Sequence, residues 1–299
     1  MSGSHDSLVD LCICSYKRPE IIELLRQVSQ QTGISSDRLR VIVADNTDDA
    51  MMRARVMEAG GALGIKLDYV HAPANNISIA RNACLDHARA PWIAFLDDDE
   101  IPTPDWLGAL WREAGAGQWD AVLGPVKALY PKHAPPWLAR GDFHSTAPVW
   151  VDGTIRTAYT GNVLFRREMV EQLQLRFRKE LGKSGGEDED FFYRIFDAGG
   201  RIGFAADAIV YEPVPAQRAR FAWLMRRSFR AGQSHGARLK QRGRQYQDIA
   251  IASAKASWCC AGAALCAPHA LSRNRFLTRA ALHAGVVARL MSLKQIELY

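Results

Sequence analysis

The chain has 299 residues, of which 48% are apolar and 23% charged, and a net charge of +6. That length holds one large α/β domain, alone or with an appendage, and the apolar fraction excludes a chain too polar to build a core. The six cysteines (Cys12, Cys14, Cys84, Cys259, Cys260, Cys266) show neither CxxC zinc spacing nor the density of a disulfide scaffold.

The overall charge hides an asymmetry. Residues 1–211 carry 23 Lys and Arg against 29 Asp and Glu, a net of −6, whereas residues 212–299 carry 15 against 3, a net of +12. A basic tail of this kind meets something anionic, either nucleic acid or a membrane surface. Met1–Asp6 lacks a basic n-region and an apolar h-region, so no signal peptide is expected and a reducing cytosol is the economical compartment. The longest uncharged stretch, Ala256–Ser272, is 17 residues and Ala-rich. A spanning helix wants about 20 strongly apolar residues, so this reads as a buried or interfacial helix.

In chain order, Leu8–Cys14 is an apolar run with the mark of a buried parallel strand. Arg18-Pro19-Glu20 opens a helix whose apolar face is Ile21, Ile22, Leu24, Leu25 and Val28. Val41–Ala44 is a second strand, Met51–Ala59 a helix, Leu67–Val70 a third strand, Ile77–Ala88 a helix and Trp92–Leu96 a fourth strand. Thr103 as N-cap with Pro104 behind it starts a helix to about Ala114, and Ala121–Val126 is a fifth strand. This order predicts a mostly parallel sheet with helices on both faces. Residues 127–160, rich in Pro and aromatics, read as a loop-rich insertion over the site. From 216 onward the chain turns helical and basic.

The chemistry gathers at strand ends, where open parallel sheets bind ligands. Ser15-Tyr16-Lys17-Arg18 follows the first strand and Asp45-Asn46 the second. Asn75, Asn76 and Arg81 follow the third, and Asp97-Asp98-Asp99-Glu100 the fourth. Four consecutive acids repel one another unless a cation sits among them, and hard oxygen ligands suit Mg²⁺ or Mn²⁺ carrying a diphosphate. Asp45 can accept from a nucleobase ring N–H, Tyr16 can pack on the base, and Arg81 can reach base or phosphate. A second acidic cluster, Glu187-Asp188-Glu189-Asp190 behind Gly185-Gly186, offers a carboxylate free to act as a base. One acid cluster for a metal and one for a base describe a sugar-nucleotide-dependent transferase.

These segments carry a resemblance. Cys12–Pro19, Val43–Asn46, Asn76–Asn82 and Phe95–Glu100 resemble family 2 glycosyltransferases of the GT-A, Rossmann-like fold. Gly124-Pro125-Val126, Pro136-Trp137, Thr160-Gly161-Asn162, Gly185–Phe192 and Val210–Pro215 narrow the likeness to bacterial exopolysaccharide enzymes of the succinoglycan glucosyltransferase type. The resemblance covers residues 8–240. It implies an inverting, metal-dependent hexosyltransferase moving sugar from a nucleotide donor, UDP favoured, to a glycan or polyprenyl-diphosphate-linked acceptor. It implies that Asp45 binds the base, that Arg81 lines the nucleotide pocket, and that Asp98, with Asp97, contacts the donor. Asp99 meets the metal. Ser15, Tyr16, Arg18 and Asn46 complete the donor side, and Trp137, Asn162 and Glu187 the acceptor side. The base is Asp188, or Asp190 two residues on; the nearer position to the Gly185-Gly186 pair favours Asp188.

The expected organisation is a GT-A domain over 1–215, its nucleotide half about 8–126 and its acceptor half about 127–215, with a basic helical extension over 216–299. Within 216–244 the arginines, among them Arg226, Arg227 and Arg230, suit peripheral contact with an anionic membrane on the cytoplasmic face, or a helix docked on the core with a solvated face. Two rivals are weaker. A sugar nucleotidyltransferase wants a Gly-rich phosphate loop after the first strand, where Ser15–Arg18 has no glycine. A nucleic-acid-binding protein is disfavoured by the acidic half and the lack of a recognisable motif.

Overall fold

The structure, a computed structural model, describes residues 7–241 and 243–296. Met1–Asp6, where the absence of a signal peptide was read, and the basic residue Arg242 lie outside the described residues. The chain divides into two compact units. The first is Met1–Lys127, Ser145–Gly182 and Glu187–Glu212; the second is Ala128–His144, Lys183–Gly186 and Pro213–Tyr299.

The order of elements is β1 (Val9–Ser15), α1 (Ile21–Ser29), β2 (Leu39–Asp45), α2 (Arg53–Ala62), β3 (Lys66–His71), α3 (Ile77–His87) and β4 (Trp92–Asp97). There follow β5 (Ile101–Pro102), α4 (Trp106–Gly117), β6 (Ala121–Leu123), β7 (Val126–Leu129), α5 (Pro136–Gly141), β8 (Trp150–Val151), β9 (Thr154–Ile155) and β10 (Asn162–Arg166). The chain closes with α6 (Arg167–Gln172), α7 (Glu187–Asp197), β11 (Ile202–Phe204), β12 (Val210–Pro213), α8 (Phe221–Lys240), α9 (Gln245–Leu265) and α10 (Ala270–Leu290).

Seven strands form the main sheet in the order β11-β6-β10-β4-β1-β2-β3. β1, β2, β3 and β4 run parallel, and β11 is parallel to β6. β10 is the exception, wedged antiparallel between β4 and β6. The alternation of side chains along β1 builds both faces of the core. Leu11 and Ile13 join Leu25, Val41, Val43, Leu96, Trp106 and Leu110 on one face. Cys12 and Cys14 join Cys84, Phe95, Phe165, Phe177, Phe191 and Phe192 on the other. Phe177 stacks on Phe191 at 4.2 Å between centroids, which fixes α7 to the sheet.

Three expectations about elements are corrected. The fifth strand ends at Leu123 rather than Val126, because a Cβ on Gly124 would lie 2.2 Å from the Ala208 carbonyl and Pro125 has no N–H to donate. The fourth helix starts at Trp106 with Asp105 at the N-cap, while the Thr103 hydroxyl donates to the Ile209 carbonyl at 3.0 Å. The stretch 127–160 is not all loop. Pro136 sits at the start of α5, and Asp152-Gly153, both at positive φ, turn β8 back onto β9.

β1 also carries a buried acid in its apolar run. Asp10 accepts from Arg40 through both oxygens, at 2.8 and 2.7 Å, and from the backbone N–H groups of Arg89 and Ala90 at 2.6 and 2.8 Å. Arg40 also reaches Asp68 at 2.9 Å, so the latch ties β1, β2 and β3 at the strand ends away from Ser15, Asp45 and Asp97. Asp10→Ala removes the buried partner of Arg40, which keeps Asp68, and the acceptor of the Arg89 and Ala90 N–H groups, and should cost about 3 kcal/mol. Urea denaturation reads this directly. A loss under about 1 kcal/mol would mean that water replaces the carboxylate.

In the second unit α10 lies against both α8 and α9, which hardly meet each other. A Cβ on Gly232 would sit 1.9 Å from the Leu282 carbonyl, and one on Gly285 2.0 Å from the Phe229 carbonyl, so α8 and α10 approach as closely as backbones can. Among the described residues no helix is long and apolar enough to cross a membrane.

Candidate active site

Strand register sets the acidic edge. Ser15 pairs with Asp45 across β1–β2, and Cys14 with Asp97 across β1–β4, so the ends of three parallel strands deliver their polar residues side by side. Because β10 runs the other way, its first residue, Asn162, pairs with Leu96 and brings Thr160-Gly161 to the same edge. Gly161 is required there: a Cβ would stand 2.5 Å from Glu100 Oε1 and 3.4 Å from Asp97 Oδ2.

The acids are held by two arginines. Arg18 lies 3.4 Å from Asp98 Oδ1 and 2.9 Å from Asp99 Oδ2. Arg81, on α3, is buried; its Nη1 donates to Glu187 Oε1 and its Nη2 lies 3.8 Å from Asp97 Oδ1. Asn76 sets the start of α3 by capping it, accepting from the Ser78 N–H at 3.1 Å. Glu187 is the first residue of α7, whose four leading acids suit the positive end of the helix. Gly185 and Gly186, at φ of 81° and 94°, make the turn before it in a conformation side chains rarely adopt.

Burial raises these carboxyls because the charged form loses its water. Asp98 is pushed up to about 7 by desolvation, opposed by Arg18 and a hydrogen bond from Ser15. Asp97 rises to about 6 by desolvation, opposed by Arg81 and reinforced by Asp99, Glu212 and Asp188. Glu100 is buried and raised well above the usual range by desolvation and by Asp97, whose N–H it accepts at 3.0 Å. Glu187 is raised by burial and by Asp188, against the pull of Arg81. Asp188 therefore lies within electrostatic reach of Asp97, Arg81 and Glu187. Asp190 is tied elsewhere, 3.2 Å from Arg178 and 3.0 Å from Arg194.

The other residues singled out in the sequence are placed as follows. Asp45 is buried, with one oxygen accepting from the Thr47 N–H and hydroxyl at 2.9 and 2.7 Å and the other from the Tyr69 hydroxyl. Asn46 is buried with its Oδ1 unpartnered. Tyr16 is exposed, with the Lys17 ammonium 5.2 Å from its ring centre. Asn162 braces the fold. It accepts from Trp106 Nε1 at 2.7 Å and donates to the Ala208 and Pro125 carbonyls at 2.7 and 3.1 Å, so both its amide hydrogens are engaged. Trp137 belongs to the second unit, edge-on to Phe143 at 5.3 Å and to Phe221 at 6.1 Å. Glu100, Glu212 and Tyr69 were given no role from sequence, although Glu100 closes the acidic run and Glu212 lies in the Val210–Pro215 segment.

The donor set fits a divalent cation shared with a ligand. Asp98 Oδ2 and Glu187 Oε2 are buried without a hydrogen-bond partner, and the Arg18 guanidinium bridges Asp98 and Asp99 as the cation of this cluster. Among the described residues no three His, Cys, Asp or Glu side chains are grouped to hold an ion by themselves. Mg²⁺ commonly takes one or two carboxylates and completes its shell with phosphate oxygens and water, which this edge allows.

The raised acids have a consequence for stability. Between about pH 4, the unfolded carboxylate value, and about pH 7, the folded chain holds more protons on Asp98 than the unfolded chain does, so this group's contribution falls as pH rises. Asp98→Asn removes the ionisation, and its melting temperature should decline less, or rise more, than wild type across that window. Parallel pH profiles for the two proteins would contradict the burial argument.

Comparison with known proteins agrees with this geometry. Residues 10–174 match the sequence family described as glycosyl transferase family 2. The chain is 49% identical, over 97% of its length and 95% of the relative's, to the succinoglycan biosynthesis protein ExoM of Rhizobium meliloti (strain 1021). Its fold is similar to the mannosyltransferase PcManGT of Pyrobaculum calidifontis, solved with GDP-Man and Mn²⁺, at a TM-score of 0.66 and 20% identity, covering 97% of this chain and 89% of that one. It is also similar to residues 1–349 of S. aureus TarS solved with UDP-GlcNAc, at a TM-score of 0.58 and 14% identity, covering 95% and 92%. With its sheet, its acidic edge and its sequence relatives in accord, the chain belongs to glycosyl transferase family 2 and is a glycosyltransferase of the GT-A fold.

Proposed function

We propose that the protein transfers a hexose, with inversion, from a nucleoside-diphosphate sugar to a hydroxyl of a glycan or polyprenyl-diphosphate-linked acceptor in bacterial exopolysaccharide assembly. The single observation that carries the mechanism is the contrast between two acids one helical half-turn apart. Asp188 bears on Asp97 and Glu187, whereas Asp190 is bound by Arg178 and Arg194. The polysaccharide setting is supported by the relative named for succinoglycan biosynthesis. Nucleotide sugars are supported by neighbours solved with GDP-Man and Mn²⁺, with UDP and with UDP-GlcNAc. UDP is the favoured nucleotide. The catalytic domain in this reading is 1–215, with 216–299 an extension.

On the donor side, Asp45, oriented by Thr47 and Tyr69, binds the base, joined by Asn46, whose Oδ1 is buried and unpartnered. Tyr16 covers the base. Ser15, Arg18, Asp97 and Asp98 meet the diphosphate and sugar, Arg18 turning from Asp99 to phosphate oxygens. A divalent ion, Mn²⁺ or Mg²⁺, held by Asp99 would neutralise charge on the departing diphosphate. Arg81 orients Glu187, which accepts from acceptor hydroxyls. The acceptor hydroxyl gives its proton to the Asp188 carboxylate as its oxygen bonds to the anomeric carbon. The bond to the diphosphate breaks on the opposite face, and its electron pair leaves with the nucleotide. An α-linked donor thus yields a β-glycoside.

Paired substitutions test the assignment. Asp188→Asn is nearly isosteric but cannot take a proton, and turnover should fall by roughly 10² to 10⁴ with donor affinity near wild type. Asp190→Asn should lower stability through Arg178 and Arg194 more than it lowers turnover. A normal rate in Asp188→Asn together with its loss in Asp190→Asn would move the base to Asp190, and full transfer in EDTA would refute the metal.

A further inference from the structure

The basic charge of the second unit points first to α8, but two of its arginines are engaged within the unit. Arg230 donates to the Ser184 carbonyl at 3.1 Å, and the Arg227 guanidinium lies 5.5 Å from the Trp223 ring centre. α9 is different. It rests on α10 and hardly meets α8, and its far side is open to solvent. On that side Ile251, Trp258 and Leu265 are 53%, 76% and 85% exposed. They are spaced seven apart, so they drift by only about 20° per step and form one line about 21 Å long. Exposed Ala254 and Ala261 lie beside this line at intermediate heights. The only charged residue between Ile249 and Ser272 is Lys255, one turn from Ile251 on the border of the stripe. Exposed Ala267-Pro268-His269 follow the helix. A continuous apolar line of this size on a solvent face marks an interaction surface.

Charge selects the occupant. Residues 213–299 contain 15 Lys and Arg and two acids, Asp248 and Glu297. Asp248 has one carboxylate oxygen buried. Exposed cations border the stripe: Arg244, seven residues before Ile251, Lys255, one turn after it, and Arg279 of α10, which shares His283 with Lys255. Lys255 and Arg279 both act on His283, whose imidazole is held below its ordinary value first by burial and then by these two cations. A second copy of the chain would bring two such cationic faces together. A surface that is apolar just below a layer of phosphates matches both the stripe and its rim.

We propose that the outer face of α9 is a membrane-docking surface for an anionic lipid bilayer. Ile251, Trp258 and Leu265 enter the boundary between headgroups and acyl chains, and Lys255, Arg244 and Arg279 meet lipid phosphates. Trp suits that depth because its ring is apolar and its N–H polar. The proposal moves the lipid contact from 216–244 to 244–279 and does not depend on which sugar or base the reaction uses.

The test is co-sedimentation of the full chain with phosphatidylcholine vesicles, with and without phosphatidylglycerol. Wild type should bind only the anionic vesicles and release with salt. The pair Trp258→Ser and Leu265→Ser, both solvent-exposed and so compatible with the fold by circular dichroism, should lower the partition coefficient at least about tenfold. Lys255→Gln with Arg279→Gln should weaken binding at low salt, whereas Arg226→Gln with Arg227→Gln should change it little. Failure of wild type to bind anionic vesicles, or undiminished binding by the Trp258 and Leu265 pair, would overturn the proposal. So would a wild-type dimer on size exclusion that the same pair converts to monomer, since a second copy would then own the face. Transfer to a water-soluble acceptor should be equal in wild type and the pair, which separates this outcome from any failure of the catalytic assignment.

Discussion

Carboxylates crowded at one sheet edge repel one another and lose hydration, and Arg18 and Arg81 make the arrangement tenable. Arg81 matters more, because it is buried and has no water to fall back on. Its guanidinium joins Glu187, at the head of α7, to Asp97, at the end of β4. That single side chain couples the strand that presents the first acidic cluster to the helix that presents the second. The aromatic packing of Phe177 and Phe191 beneath it fixes the same helix from the apolar side. The site is thus built from one charge bridge laid over one apolar contact.

The remaining excess of negative charge explains the chemistry the edge can support. Asp98 rises to about 7, first because burial strips its water and then because Asp99 and Asp97 stand near it, and Arg18 offsets this only in part. A diphosphate adds further negative charge and can enter only with positive charge supplied. The Oδ1 of Asp188, the base in the proposed reaction, accepts from the neighbouring Glu189 N–H, whereas Asp190 is held by two guanidinium groups.

Much of this was legible in the sequence, for physical reasons that also mark where reading stopped. β1, β2 and β4 are short apolar runs, broken only by Asp10 in β1 and Arg40 in β2 before their closing polar residues, and such runs bounded by turn residues suit strands buried on both faces. Their carboxyl ends were therefore visible too. The antiparallel strand β10 was hidden because direction is not encoded in an apolar run; its sequence looked only like a motif followed by hydrophobics. The β8–β9 hairpin did leave a signal, Asp152-Gly153, lost among prolines and aromatics. Asp10 lay within an apolar run, and its partners Arg40, Arg89 and Ala90 come from distant segments. The Arg81–Glu187 pair spans 106 residues, a separation for which spacing carries no information. For the same reason Asn162 read as a ligand contact, although in the fold it ties Trp106 to two carbonyls.

The central claim is a single displacement with Asp188 taking the acceptor proton. Its most direct test is the stereochemistry of the product. Proton NMR of the newly formed linkage, recorded on product made from an α-linked nucleotide sugar before any equilibration, should show the large anomeric coupling of a β-glucoside-type bond. An α-linked product would require two displacements or a front-face path, and would contradict the role given to Asp188.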